Sequence, residues 1–433
     1  MLIRFYNYIV TDTARAYQAL QVFRLGSVLV FSIIMVQFGL KSEEIGDFEW
    51  FIFLANVSSF FWGLGLKNAF MSYYPKLGQN DQRKLLFNLG GVLFILGCLA
   101  FGVLQLFRFP RLDTLYAYLP WLFCFIVLGT TASLSEHILL VKQRSKTLFY
   151  YGFISYSIYL FGLTFLVYQY RAIQPLFVGL AIWATLRFAY FVWLSEKESS
   201  MVLDYKLTFK FVLFGLPLIL HVLMGAGMEY VDGYLVNAYF ERSEFTYFRY
   251  GARELPVNTI FISALASAFI PLAVTNLNDS LAVLKMRLNR LMNFLFPMSI
   301  VLMIASPYIF RLVYSEEYLV SAQIFNIYLL ILCSRILLPQ VVIYARHKNS
   351  VLMVVSFLEF AINIGLSLFL MQFYGLYGIA FATVIAFLIQ KMILIAYNKV
   401  KLGISLSSYI NISKYFLYTL ALYLTFCLST FFL

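Results

Sequence analysis

The chain reads as long apolar runs separated by short polar clusters. A helix crosses a bilayer's hydrocarbon core with roughly 20 predominantly apolar residues. Runs of that length lie near 19–40, 48–70, 84–107, 116–140, 148–170, 175–195, 208–231, 247–272, 289–311, 320–344, 351–372, 376–397 and 409–432, which predicts thirteen membrane-spanning helices. None alternates apolar and polar residues as the strands of a transmembrane barrel do. The longest polar connections, around 196–207 and 275–290, leave no room for a soluble domain of any size. The pattern therefore predicts an all-α polytopic membrane protein.

Composition agrees. Of 433 residues, 62% are hydrophobic and only 12% are charged, whereas soluble domains are about 25% charged. The abundant phenylalanine and tyrosine suit lipid-facing walls and the two bilayer interfaces. Cys98, Cys124, Cys333 and Cys427 lie scattered in apolar runs with no ligand or disulfide spacing, so they read as small core hydrophobes. His137, His221 and His347 form no metal-binding motif. The first apolar run follows a charged stretch and is long enough to remain as an anchor, not a cleaved signal. There is no phosphate-binding loop, HExxH or GxSxG motif. Such a chain is expected to be a transporter and not an enzyme, with no cofactor. Its energy would come from an ion gradient, the membrane potential or a separate subunit.

The charges predict an orientation. With the N-terminus and every second loop assigned to the cytoplasm, those segments and their flanking span ends hold 20 lysines and arginines, and the opposite loops hold 6. The first group runs from Arg4 and Arg15 through Lys142, Arg144 and Lys146 to Lys391 and Lys401. The second group includes Arg108, Arg111 and Arg242. This is the positive-inside asymmetry, and it accounts for the formal charge of +12 without nucleic acid. The basic loops would face anionic membrane lipids.

An internal repeat suggests two halves. At an offset of 196 residues Pro75 falls on Pro271, Gly179-Leu180 on Gly375-Leu376, and Ala184 on Ala380. The divisions implied are a six-helix lobe over 1–200, a second over 201–400, and an additional C-terminal helix within 401–433.

Six cations remain in or at the spans: Arg24, Lys67, Arg187, Arg249, Arg253 and Arg335. A charge at a helix centre costs about 2.5–3.5 kcal/mol on insertion scales, so several imply a polar cavity or tight pairing. Lys67 and Arg187 also fit a snorkelling interfacial role. Arg335 is expected to pair with Glu359, and Glu254 with Arg249 or another helix. Glu136 and His137 are placed near a helix end and set aside. Arg249 and Arg253 share a face at i,i+4 spacing in "YFRYGARELP", where Pro256 removes a backbone hydrogen bond. A broken backbone is tolerated at membrane depth where it is covered by protein or lines a wet cavity. This stretch is expected to face something anionic. A second constellation is of opposite sign: Asp232, Glu359, Asn363 and Thr383 supply oxygen ligands for Na+ or a carboxylate for H+, the alternative being structural hydrogen bonds.

These residues bring a resemblance. "RLG" (24–26), "GLGLKNAF" (63–70), "YGARELP" (250–256), "LVYSEEYLVSAQIFNIYLL" (312–330) and "NIGLSLFLMQFYGLYGIAFATVI" (363–385) resemble the multidrug/oligosaccharidyl-lipid/polysaccharide exporter superfamily, in its O-antigen and polysaccharide flippase branch. The resemblance covers about residues 10–400. It implies two six-helix bundles around a V-shaped central cavity, and a bacterial cytoplasmic membrane protein. It implies turnover of an undecaprenyl-diphosphate-linked oligosaccharide from the cytoplasmic to the outer leaflet. It also implies a polysaccharide polymerase and a chain-length regulator as partners. In related lipid II flippases, arginines of the first, second and eighth helices meet the diphosphate. Arg24 and Arg253 match the first and eighth by motif. The second has no counterpart, since Phe61 and Trp62 occupy that region, and Lys67 is the substitute. Some relatives bind sodium on the seventh, eleventh and twelfth helices, where Asp232, Asn363 and Thr383 fall. Lipid II flippase and multidrug cation antiporter are the alternatives within the fold, and a non-transporting scaffold is the alternative outside it.

Overall fold

The computed structural model describes residues 10–106, 112–346 and 348–431. Arg4, Arg108, Arg111 and His347, used in the sequence reading, lie outside the described residues. The chain forms two compact units, one up to Ala226 and one from Gly227.

The first unit contains α1 (Thr13–Gln37), α2 (Ser42–Tyr73), α3 (Gln79–Leu106), α4 (Leu119–Ala132), α5 (Leu134–Val141), α6 (Ser145–Tyr170), α7 (Gln174–Glu198) and the first part of α8 (Tyr205–Tyr239). The second contains the end of α8, then α9 (Arg242–Gly251), α10 (Pro256–Thr275), α11 (Leu277–Val313), α12 (Leu319–Leu329), α13 (Ile331–Arg335), α14 (Pro339–Ala345), α15 (Asn349–Leu402) and α16 (Ile412–Phe431). Twelve helical segments among the described residues are long and apolar enough to cross a membrane. α4 and α5 together make one of them.

Proline sets several helix starts. Pro120, Pro175 and Pro339 stand in the first turns of α4, α7 and α14, where the missing N–H has no intrahelical partner to lose. The outward faces are apolar: Val22 on α1 is 67% exposed and Phe161 on α6 is 70% exposed. Helices that are hydrophobic on both faces need an apolar medium outside as well as inside. In the first unit, α1 packs on α6, with Phe23 edge-on to Phe149 and Phe153. α4 packs on α7, and Phe51 of α2 stacks on Phe177.

Two predicted elements differ in form. The eighth run is not one helix. α9 stops at Gly251, Ala252–Leu255 is unwound, and α10 restarts at Pro256 with the 20 residues a span needs. Pro256 lacks an N–H, and its ring disfavours helical geometry at the preceding residue. The eleventh and twelfth runs form α15, which folds back at Gly375 with φ 56° and ψ −134°. Side-chain-bearing residues avoid that conformation. A Cβ on Gly378 would strike the Leu370 carbonyl and lie 2.7 Å from the Met371 nitrogen, so the antiparallel arms meet closely at this turn.

The division between units falls within α8, and not in the connection near residue 200. The first part of α8 is held by the first unit: a Cβ on Gly65 would lie 2.6 Å from the Ile219 Cα, and Phe211 and Phe214 pack on Tyr73. The C-terminal helix α16 is integral to the second unit. Tyr418 stacks on Phe296 of α11 and donates to Asn293 Oδ1 at 3.0 Å, and Tyr415 donates to the Cys333 carbonyl at 3.0 Å.

Candidate functional site

The first unit carries a charge cluster built by five membrane-spanning segments. Glu136 of α5 is its centre, with a side chain only 1% exposed. Arg24 of α1 donates from Nη2 to both Glu136 oxygens, at 2.8 and 2.6 Å, and from Nε to the Tyr156 hydroxyl of α6 at 2.6 Å. Arg187 of α7 donates to Glu136 Oε1 at 2.7 Å and to the Tyr151 hydroxyl at 3.1 Å. Its guanidinium lies 4.6 Å from the ring centre of Trp183, a cation–π contact that is strengthened by desolvation. Lys67 of α2 donates to Ser133 Oγ at 2.9 Å, where α4 passes into α5.

This corrects two expectations. Glu136 does lie near the end of its span, in the first turn of α5, but it is not to be set aside: it is the shared counterion of Arg24 and Arg187. Arg187 does not snorkel; it is buried. A single carboxylate pairs with two of the three cations, and among the described residues Lys67 has only a hydroxyl partner. The cluster keeps a surplus of positive charge. The Arg24 side chain is the more open of the two arginines, 35% exposed against 8% for Arg187.

In the second unit the break between α9 and α10 separates Arg249 from Arg253, so they do not share a continuous helical face. Arg249 lies 3.6 Å from Glu229. Arg253 is half-buried in the unwound segment. Its Nε donates to the Arg249 carbonyl at 3.1 Å, covering one of the open carbonyls at the end of α9, and its guanidinium stands 5.5 Å from the Tyr250 ring centre. Among the described residues it has no carboxylate partner. Glu254 accepts two hydrogen bonds from Arg335, at 3.1 and 2.6 Å, and Arg335 lies over the Phe387 ring at 4.3 Å. Arg335 therefore pairs with Glu254 and not with the expected Glu359, and Glu254 takes the other of its two expected partners, a residue of another helix. The fork of Arg335 ties the unwound segment to α13.

The expected cation-binding set divides. Asp232, Asn363 and Thr383 come together. Thr383 Oγ1 donates to Asp232 Oδ2 at 2.6 Å and receives Asn363 Nδ2 at 3.1 Å. All three are buried. Ser367, one turn beyond Asn363, is buried beside them and bears on the Asp232 carboxylate. Among the described residues, Asp232 Oδ1, Asn363 Oδ1 and Ser367 Oγ are buried without a hydrogen-bond partner. Glu359 is not in this group. It accepts a hydrogen bond from Gln390 and faces Lys391 and Arg335. Lys391, expected at a flanking end, is itself buried and donates to Gln340 Oε1 at 3.2 Å. Sequence reasoning missed Ser367, although its i,i+4 spacing from Asn363 was available as a signal.

The buried, unpartnered oxygens test the cation reading. A carboxylate with amide and hydroxyl oxygens is an all-oxygen donor set that suits a hard cation. Among the described residues no hydrogen bond takes up these oxygens, so the residues present fit such an ion.

The comparisons with known proteins agree with this architecture. The family profile described as lipid II flippase MurJ matches residues 216–433. The profile described as polysaccharide biosynthesis protein matches residues 40–323. A comparison with curated protein sequences gives no match. Among solved structures, "Lipid II flippase MurJ, inward closed conformation" is similar with TM-score 0.67 and 19% identity, over 95% of this chain and 97% of that one. The Vibrio cholerae MATE transporter VcmN has TM-score 0.58 and 14% identity, over 92% and 98%. A superfamily transporter from Pyrococcus furiosus, described as having a binding pocket of reverse polarity, has TM-score 0.57 and 12% identity, over 92% and 97%. At such identities these structures speak for the fold, and the two profiles speak for the family. The chain is a multi-pass membrane transporter and not an enzyme, and it belongs to the flippase group of the multidrug/oligosaccharidyl-lipid/polysaccharide exporter superfamily.

Proposed function

We propose that this flippase turns over an undecaprenyl-diphosphate-linked oligosaccharide, an O-antigen or other surface-polysaccharide repeat unit, from the cytoplasmic to the outer leaflet of the bacterial inner membrane. The observation that carries the reading is the charge surplus of the first unit, where Arg24 and Arg187 share one carboxylate and Lys67 beside them has a hydroxyl partner. A membrane-embedded surplus of cations suits a diphosphate and disfavours a cationic drug. In the second unit Arg253 offers a guanidinium that, among the described residues, has no carboxylate partner. The match to the lipid II flippase profile favours a second substrate of the same headgroup chemistry, lipid II. The absence of an arginine at Phe61-Trp62 weighs against it.

The test is flipping of a lipid-diphosphate-oligosaccharide in vesicles. Lys67→Met and Arg253→Ala should each lower the rate at least tenfold while the protein reconstitutes normally. Arg253→Lys should recover part of it, because an ammonium lacks the bidentate fork. Wild-type rates from both charge-removing variants would end the anion reading. Competition by lipid II against the oligosaccharide lipid decides between the two substrates.

We further propose that Asp232, Asn363, Ser367 and Thr383 hold the coupling ion, Na+ or H+. Asp232→Asn should abolish the dependence of flipping on sodium or pH; unchanged dependence would leave the cluster structural. The orientation reading rests on the basic loops. A cysteine at Ser145 should resist an impermeant reagent in intact cells and one at Glu241 should react; the reverse pattern would overturn it.

A further inference from the structure

On the first unit, α6 and α7 part to leave a crevice of about 240 Å³. Its walls are Tyr150, Ile154, Ile158 and Leu186, with Trp183 and Arg187 at the floor. Its rim is exposed and apolar: Ile154 and Leu186 are both more than half exposed. It lies on two membrane-spanning helices, so the medium that reaches it is lipid. Along α6 it runs from Thr147 to Ile158, about 16 Å at the helical rise. That is about half of the 30 Å hydrocarbon core, the depth of one leaflet.

The ends of the crevice differ. Its Thr147 end opens at the basic loop. Lys146 is exposed there and, among the described residues, has no carboxylate partner. Lys197 lies 3.8 Å from the Trp193 ring centre, and Trp193 packs on Tyr190, which lines the crevice. Among the described residues the buried Tyr190 hydroxyl has no hydrogen-bond partner. Deeper in, the buried Ser155 hydroxyl likewise has no hydrogen-bond partner among the described residues. The other walls are apolar and aromatic. Apolar depth, a buried hydroxyl one turn inside the mouth, and cations at the mouth match the parts of one molecule: an acyl chain, a glycerol ester and a phosphate.

We propose that this crevice binds an anionic glycerophospholipid of the leaflet at the basic-loop end, one chain between α6 and α7 and its phosphate at Lys146. The floor residue Arg187 also holds Glu136, which holds Arg24. Chain occupancy therefore bears on the same ion network from its lipid side. This site is separate from transport of the substrate, and its test does not use transport.

Native mass spectrometry of the detergent-purified chain, with phosphatidylglycerol or phosphatidylcholine added, reads the site. Wild-type protein should retain one phosphatidylglycerol in preference to phosphatidylcholine. Leu186→Trp, which fills the crevice from its exposed rim, should lower that retention at least tenfold. Ile158→Trp fills the opposite wall and should do the same if the first variant fails to run as a monodisperse species. Lys146→Ala should weaken phosphatidylglycerol about fivefold, which corresponds to about 1 kcal/mol per basic residue near an anionic surface, and leave phosphatidylcholine unchanged. Equal retention by the filled variants and wild type would overturn the site. Equal retention of the two lipids by wild type would overturn its charge selectivity.

Discussion

Replacing Glu136 by glutamine probes the first-unit cluster directly, because the shape is kept and the charge is lost. Glu136 receives three guanidinium hydrogen bonds between 2.6 and 2.8 Å, from two different helices. At an effective dielectric of about 20, one such contact at about 2.7 Å is worth about 6 kcal/mol of Coulomb attraction. Most of this is offset by the desolvation of the partners, and removing one member of a buried pair costs about 3–5 kcal/mol net. The amide must also turn its NH2 group toward a guanidinium or give up one bond. The expected outcome is a fall in the melting temperature of the purified protein of roughly 10 °C, at about 2–4 °C per kcal/mol for a folding unit of this size. Arg187→Gln on the same background removes one of the stranded cations. The double variant should lose less than the sum of the singles, with a coupling of about 0.5–3 kcal/mol for contacting residues. Thermal scans with a thiol-reactive or tryptophan readout measure both. A Glu136→Gln protein that melts with wild type, or strict additivity in the cycle, would refute the shared-counterion reasoning.

Two further outcomes follow from local geometry. Gly375→Ala forces a side chain onto φ 56° and ψ −134°, at about 1–3 kcal/mol; lower membrane abundance and a lower melting temperature are expected, and wild-type values would refute the strained turn. Asp204 caps the start of α8, accepting the Leu207 N–H at 3.0 Å and facing Lys84 at 3.3 Å. These hold its carboxyl below the ordinary value, the Leu207 N–H first and then Lys84. Its contribution is therefore present above the unfolded value, about 3.9, and is lost as pH falls through the lower folded value. The melting temperature of wild type should fall more steeply below about pH 4 than that of Asp204→Asn; parallel curves would remove Asp204 from the account.

The sequence by itself determined the all-α polytopic class, because hydrocarbon thickness fixes the length of each apolar run and lipid leaves the backbone no other partner than its own helix. It also marked two local breaks. Pro256 cannot continue a helix, and the glycines of "FYGLYGIAF" allow the fold-back at Gly375. These are properties of a few adjacent residues. Partnership among the buried charges was decided by the tertiary structure. Arg24 and Glu136 are 112 positions apart, and Arg335 and Glu254 are 81 apart. No helical period connects such residues, so the sequence offered Glu359 to Arg335 as readily as Glu254. The same holds for the oxygen cluster. Asn363 and Ser367 share one helical face, but only the packing of α8 beside the two arms of α15 brings Asp232 and Thr383 to them and leaves Glu359 with Gln390. Short-range sterics and solvent fix which segments are helices; long-range packing fixes which charges meet, because a charge inside a membrane is stable only beside the partner that the fold delivers.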